Sequence, residues 1–148
     1  MIRTLTIDEL SHYVPRLSEA RAQLGRTRPM NEERFLQKWM SWYATGNGVV
    51  FGFFVDGTLG GTLGALLSTD LYDDTPITVE VFLNIRPEAK MRAGWRKLIS
   101  AYVTWAKSHG ATEIYLSRWA SCPKIDALYA KMGFLESEVH YRLATWKG

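Results

Sequence analysis

The sequence predicts a single mixed α/β domain, residues 1–148, with a mostly antiparallel sheet of six or seven strands and about four helices. Three observations carry this. Val79, Val81, Leu83 and Ile85 alternate with Glu80, Phe82, Asn84 and Arg86, which is the period of a strand, and Pro87 ends it because proline offers no ladder N–H. Trp95, Leu98, Ile99, Tyr102, Val103 and Ala106 then recur at helical spacing, and 112–119 reads as another strand. A strand reached through a crossover helix lies parallel to its predecessor, which makes a βαβ unit. Asp56-Gly57, between apolar runs at 49–55 and 58–67, signals a tight hairpin and hence an antiparallel pair.

The remaining elements follow in order. Met1 to Leu5 alternates as a first strand. Thr6 and Glu9 have the spacing of a capping box, and Leu10, Tyr13, Val14, Leu17 and Leu24 supply the apolar face of the helix it opens. Pro15 argues for a kink or a late start, and Gly25 for a stop. Asn31 followed by Glu32 and Glu33 starts a second helix running to about Ala44, with Phe35, Trp39, Trp42 and Tyr43 inward, as core or as one wall of an acceptor pocket. Gly60, Gly61 and Gly64 point to a bulge or a close backbone approach in the second hairpin strand. Leu71 to Pro76 is a loop, in which Asp73-Asp74 reads as an exposed turn before a site for an amine. His109-Gly110 stops the third helix. Pro123 opens the fourth, and Gly133 closes it. Phe134 to Trp146 reads as one or two terminal strands.

Composition excludes several classes of function. Nearly half the residues are apolar (47%), with six Trp, seven Tyr and six Phe, which is the composition of a packed domain rather than a disordered chain. One cysteine, Cys122, excludes an internal disulfide and two-cysteine zinc motifs and fits a reducing, cytoplasmic compartment. No apolar run approaches membrane-spanning length. His12, His109 and His140 have no partners at the spacing of a triad or a metal site. Net charge is only +3, and the excess is local: Arg86, Lys90, Arg92, Arg96 and Lys97 crowd the start of the third helix. Cations there oppose the helix dipole, an arrangement that makes sense around a bound anion, since free N–H groups at a helix start already form an anion site. A small acidic ligand fits this better than nucleic acid, which asks for a basic stripe across a face.

The order of strand, Pro-Glu, basic segment, glycine and amphipathic helix resembles the acyl-CoA-binding motif of the GNAT superfamily of N-acyltransferases. Ile85-Arg86-Pro87 matches the strand end, and Lys90-Met91-Arg92-Ala93-Gly94-Trp95 occupies the loop, with Ala93 and Trp95 where small residues are usual and the glycine one position late. A second, more specific resemblance runs from Cys122 to Phe134, where Pro123, Leu128, Tyr129, Lys131, Gly133 and Phe134 fall on positions of the second GNAT signature. Cys122 replaces the asparagine of that signature.

The resemblance implies a sheet splayed between its two central parallel strands, with the pantetheine arm of acetyl-CoA in the gap. By position, the main chain around Leu83, Asn84 and Ile85 would pair with pantetheine. Backbone N–H groups from Met91 through Arg92, Ala93, Gly94 and Trp95 to Arg96 would meet the pyrophosphate, with Lys90, Arg92 and Arg96 as charge partners. Cys122, Lys124 and Lys131 are further candidate cofactor contacts. Tyr129 matches the usual acid for the departing thiolate, and Glu80 is the best available base by type and region. No metal is implied. The acceptor is an amine on a small molecule or a protein, in a pocket built from the Gln23–Met30 loop and the terminal hairpin, and homodimerisation stays open. The alternative is a GNAT-like fold without catalysis, a binding protein or a virion component of a tailed bacteriophage, motivated by the bulky Trp95.

Overall fold

Thr6 and Glu9 form the expected capping box: the Glu9 N–H donates to the Thr6 hydroxyl and the Thr6 N–H to the Glu9 carboxylate, both at 3.1 Å. The computed structural model describes residues 1–23, 28–88, 91–118 and 123–145. Its elements are β1 (Ile2–Thr4), α1 (Ile7–Gln23), α2 (Glu32–Thr45), β2 (Gly48–Val55), β3 (Thr58–Thr69), β4 (Pro76–Ile85), α3 (Gly94–Ser108), β5 (Glu113–Tyr115) and α4 (Pro123–Lys131). The strands lie in the order β1-β2-β3-β4-β5, antiparallel except for the parallel pair β4–β5. The mixed α/β class and the βαβ unit are therefore present, with five strands instead of six or seven among the described residues.

Two apolar layers sandwich the sheet. On one face Phe51, Phe53, Leu63 and Ala65 pack against Met91, Leu98, Ile99, Tyr102 and Ala106, with Leu128 and Tyr129 of α4 and Met132 just past it at the margin. On the other, Leu5 and Val50 pack against Leu10, Tyr13, Leu17 and Trp39. Trp39 is fully buried and lies edge-on to Trp42, Tyr43 and Phe82, so this part of the aromatic stripe is core. Asn31 caps α2 by accepting from the Arg34 N–H at 3.0 Å. Asp56 and Gly57 both have positive φ, as a two-residue hairpin turn matched to the sheet twist requires. Asp73 accepts from both the N–H and the hydroxyl of Thr75, so the acidic loop is a self-satisfied exposed turn.

Several boundaries differ from the sequence reading. Helix α1 runs through Pro15, while the proposed stop at Gly25 lies outside the described residues. Helix α3 starts at Gly94, and Met91 before it is drawn under the sheet and buried. Strand β4 starts three residues earlier than the alternation suggests, and β5 is short. The terminal segment 134–145 contains no strand, although Leu135, Val139, Tyr141 and Leu143 alternate with polar residues. Alternation gives a segment two faces, but a strand exists only in a ladder, and 134–145 pairs with no strand among the described residues, the outer edge of β5 included. The hairpin expected around Glu136-Ser137-Glu138 is thus not formed among the described residues.

Candidate active site

The site is built on the place where β4 and β5 part. The parallel ladder pairs only Ile77 with Glu113, Thr78 with Ile114 and Val79 with Tyr115, while β4 runs on to Ile85. Beyond Val79 that edge of β4 has no strand beside it among the described residues. The Arg86 N–H donates to the Gly60 carbonyl at 2.8 Å, and Asn84 and Phe82 lie opposite Thr62 and Gly64. By antiparallel alternation, Phe82 and Asn84 turn their main-chain groups toward β3, and Leu83 and Ile85 turn theirs into the gap. Of the three main-chain positions expected there, Asn84 is thus the one directed away.

Register with β3 shifts at this point. Gly64 pairs with Phe82 and Ala65 with Glu80, leaving Val81 as an extra residue without a partner. This β-bulge reverses the side-chain parity of the strand. Strict alternation would put Glu80 on the same face as Phe82, toward α2; the bulge turns it toward α3 and α4. There its Oε2 accepts a hydrogen bond from the Ser117 hydroxyl at 3.2 Å. Burial pushes the Glu80 carboxyl up to about 7, and the Ser117 bond pulls the other way.

Tyr129 reaches the same place from α4. Its hydroxyl donates to the Ser117 main-chain carbonyl at 3.1 Å. Burial pushes it up to about 12, the Glu80 charge adds to the rise, and Arg118 opposes it. Helix α4 is held against the end of β5 by Arg118, whose Nε donates to Asp126 at 2.5 Å. From α3, Tyr102 donates to the Tyr115 carbonyl at 2.9 Å and closes the floor. Gly133, with φ of 91°, ends α4, and the Phe134 N–H returns to the Tyr129 carbonyl at 2.9 Å. The structure thus brings Glu80 and Tyr129 together through Ser117. Sequence reasoning missed Ser117, because a serine just past a strand carries no signal of its own.

The mouth of the gap is basic. Ala93 precedes α3 with no side-chain cap, and no acidic residue lies in the first turn. Arg92 and Arg96 are exposed and Arg86 is half-buried, and none forms an ion pair among the described residues. The Trp95 N–H is used within the turn, donating weakly to the Arg92 carbonyl at 3.3 Å. Gly94 is buried, and a Cβ there would collide with the Phe53 ring, so this glycine is required for helix–sheet packing. Met91 is likewise a packing residue in its side chain, seated under the extra residue Gly60 of β3. Lys124 and Lys131 are exposed on α4. Lys90 and Cys122 lie outside the described residues, as does half of the Gln23–Met30 loop. The described residues include no cluster of metal ligands and no helix long and apolar enough to cross a membrane. A concavity of about 500 Å³ between β1 and α3 lies at the opposite edge of the sheet, remote from the gap.

No family model matches the sequence, and no curated protein matches it significantly. Solved structures do match. A probable acetyltransferase superposes with a TM-score of 0.77 at 16% identity, covering 100% of this chain and 99% of that one. A predicted acetyltransferase with acetyl-CoA from Clostridium acetobutylicum gives 0.77 at 13% identity, covering 97% and 95%. The fold is that of the GNAT acetyltransferases. An aminoglycoside acetyltransferase from an uncultured soil metagenomic sample shares this GNAT fold with a TM-score of 0.74 at 18% identity, covering 99% and 96%. The similarity spans 97–100% of this chain in all three.

Proposed function

We propose that the chain is an acyl-CoA N-acyltransferase that moves an acetyl group from acetyl-CoA to a primary amine by direct attack, with both substrates bound. The observation that carries this reading is the convergence of Glu80 and Tyr129 on Ser117 at the apex of a strand edge that no described residue pairs. Acetyl-CoA fits what lies around that apex. Leu83 and Ile85 offer main-chain groups to amides as a neighbouring strand would. The start of α3, with Arg86, Arg92 and Arg96, suits a pyrophosphate.

The co-substrate supplies an activated thioester, and the chain manages protons. An ammonium group cannot attack, so a base must first remove its proton. Glu80, held at about 7, is partly ionised at neutral pH and close to the ideal for that task. Tyr129 keeps its proton at neutral pH. A phenol at about 12 is too weak an acid to protonate fully a thiolate whose conjugate acid lies near 8.5; its contribution is a hydrogen bond to the leaving sulfur. Because the Glu80 charge helps to raise Tyr129, uptake of a proton by Glu80 makes Tyr129 a stronger donor. The base step thereby assists the acid step.

The similarity to an aminoglycoside acetyltransferase suggests a polar small molecule as the acceptor, and a protein amine is the other class. A second reading, a non-catalytic binding or virion protein, is favoured by Trp95, which occupies the first turn of α3 and spends its N–H inside it. Release of free CoA from acetyl-CoA across a panel of aminoglycosides, amino sugars, polyamines and N-terminal peptides separates the two. Amine-dependent release supports the transferase. Acetyl-CoA binding with no release above the uncatalysed rate for any amine supports the second reading.

A further inference from the structure

We propose that Ser117 is the positioning residue of this site, its hydroxyl holding the Glu80 carboxylate and its main-chain carbonyl holding the Tyr129 hydroxyl. The proposal rests on the acyltransferase reading for its catalytic meaning, but not for its geometry. Tyr115 is the last β5 residue in the parallel ladder and Val79 is its partner. Ser117 stands two residues past the first and Glu80 one past the second, so their 3.2 Å contact continues the joint by side chains where main-chain pairing stops. Being outside the ladder also frees the Ser117 carbonyl, which takes the Tyr129 hydroxyl at 3.1 Å. One residue therefore fixes the two proton-handling groups relative to each other.

The groups facing Glu80 are Tyr102 from α3, Tyr129 from α4 and Ser117, with the Arg118–Asp126 pair beyond Tyr129. Among the described residues, Ser117 is the one hydrogen-bond donor to the carboxylate, and no cation pairs with it. Ser117→Ala removes that donor and leaves the carbonyl that holds Tyr129. The half-buried carboxylate then loses a bond that favours its charged form. Ser117→Thr keeps a hydroxyl at an exposed position and should restore it.

The test uses the full chain in three forms, wild type, Ser117→Ala and Ser117→Thr, with Glu80→Gln to assign the Glu80 signal. Carbon-13 NMR titration of glutamate carboxyls should show the Glu80 midpoint rising by about one unit in Ser117→Ala and returning in Ser117→Thr. With acetyl-CoA and an active amine, the acidic limb of kcat/KM should move by the same amount while KM for acetyl-CoA stays unchanged. An unchanged Glu80 titration in Ser117→Ala overturns the proposal, as does a shift that Ser117→Thr fails to reverse. If the titration moves as expected and no amine is acetylated, the Ser117 assignment stands and only the transferase reading falls.

Discussion

The Met91 side chain occupies the space that a Cβ on Gly60 would need, so a bulge in β3 and the approach to α3 are locked together. Gly60 also accepts the Arg86 N–H at 2.8 Å, which ties the same glycine to the end of β4. The basic mouth of the gap is therefore placed by a packing contact beneath it. Gly60→Ala must displace a buried methionine, and overpacking of this kind costs about 1–3 kcal/mol. Denaturant unfolding should show that loss, and acetyl-CoA affinity should fall with it, although residue 60 itself lies within β3. A loss of stability with unchanged affinity would separate the packing contact from the anion site.

Glu80 is held at a cost to the fold. Its carboxyl sits at about 7 in the folded chain against an ordinary 4.5, so the folded state binds this proton more tightly than the unfolded state does. The corresponding stability is fully present below pH 4.5 and is lost as the pH rises through 7. At about 1.4 kcal/mol per unit, the loss is up to about 3 kcal/mol. Glu80→Gln, which carries no charge, should thus match wild type near pH 4.5 and exceed it by up to that amount at pH 8, as read from urea midpoints at the two values. The same variant should lose the acidic limb of the rate profile and about 100-fold in turnover. Equal stabilities at pH 8 would show that the carboxylate is well solvated.

Tyr129→Phe retains the ring, which packs near Phe134 with centroids 6.1 Å apart, and deletes the bond to Ser117. Stability should change by no more than about 1.5 kcal/mol, the net worth of one hydrogen bond. Turnover should fall by about 100-fold or more with little change in acetyl-CoA binding, because the interaction with the leaving sulfur exists chiefly in the transition state. Full activity in a folded Tyr129→Phe chain would leave water or the backbone as the donor.

Arg92 and Arg96 should act as an electrostatic pair. Replacing either with Gln should weaken acetyl-CoA binding by about tenfold or less, given their exposure, and raising the salt concentration should shrink the difference. Trp95→Gly should leave binding intact or tighten it. A large loss at Trp95→Gly would mean that the indole contacts the ligand directly.

What could be read from the sequence was local in origin. The capping box of Thr6 and Glu9, the Asp56-Gly57 turn, the stop before Pro87 and the Gly133 cap each depend on residues within one turn of each other. The βαβ unit followed from two periodicities and a handedness rule. The bulge at Val81 was not legible, since it is a register shift set by β3, and it alone decides which face Glu80 takes. Gly60, Gly61 and Gly64 signalled a bulge or a close approach in β3, and Gly60 is the extra residue against β2, but they carried no sign of the second bulge, which lies in β4. Ser117 has meaning only because β5 ends two residues earlier and α4 returns over it. The terminal strands were misjudged for the converse reason: residues 135–145 have the pattern of a strand but pair with none among the described residues.

Binding of acetyl-CoA at the parting of β4 and β5 is the claim on which the rest depends, and isothermal titration calorimetry measures it directly. Saturable binding in the micromolar range is predicted, weakened by Arg92→Gln and Arg96→Gln and retained in Tyr129→Phe. No heat and no thermal shift at millimolar acetyl-CoA would contradict it.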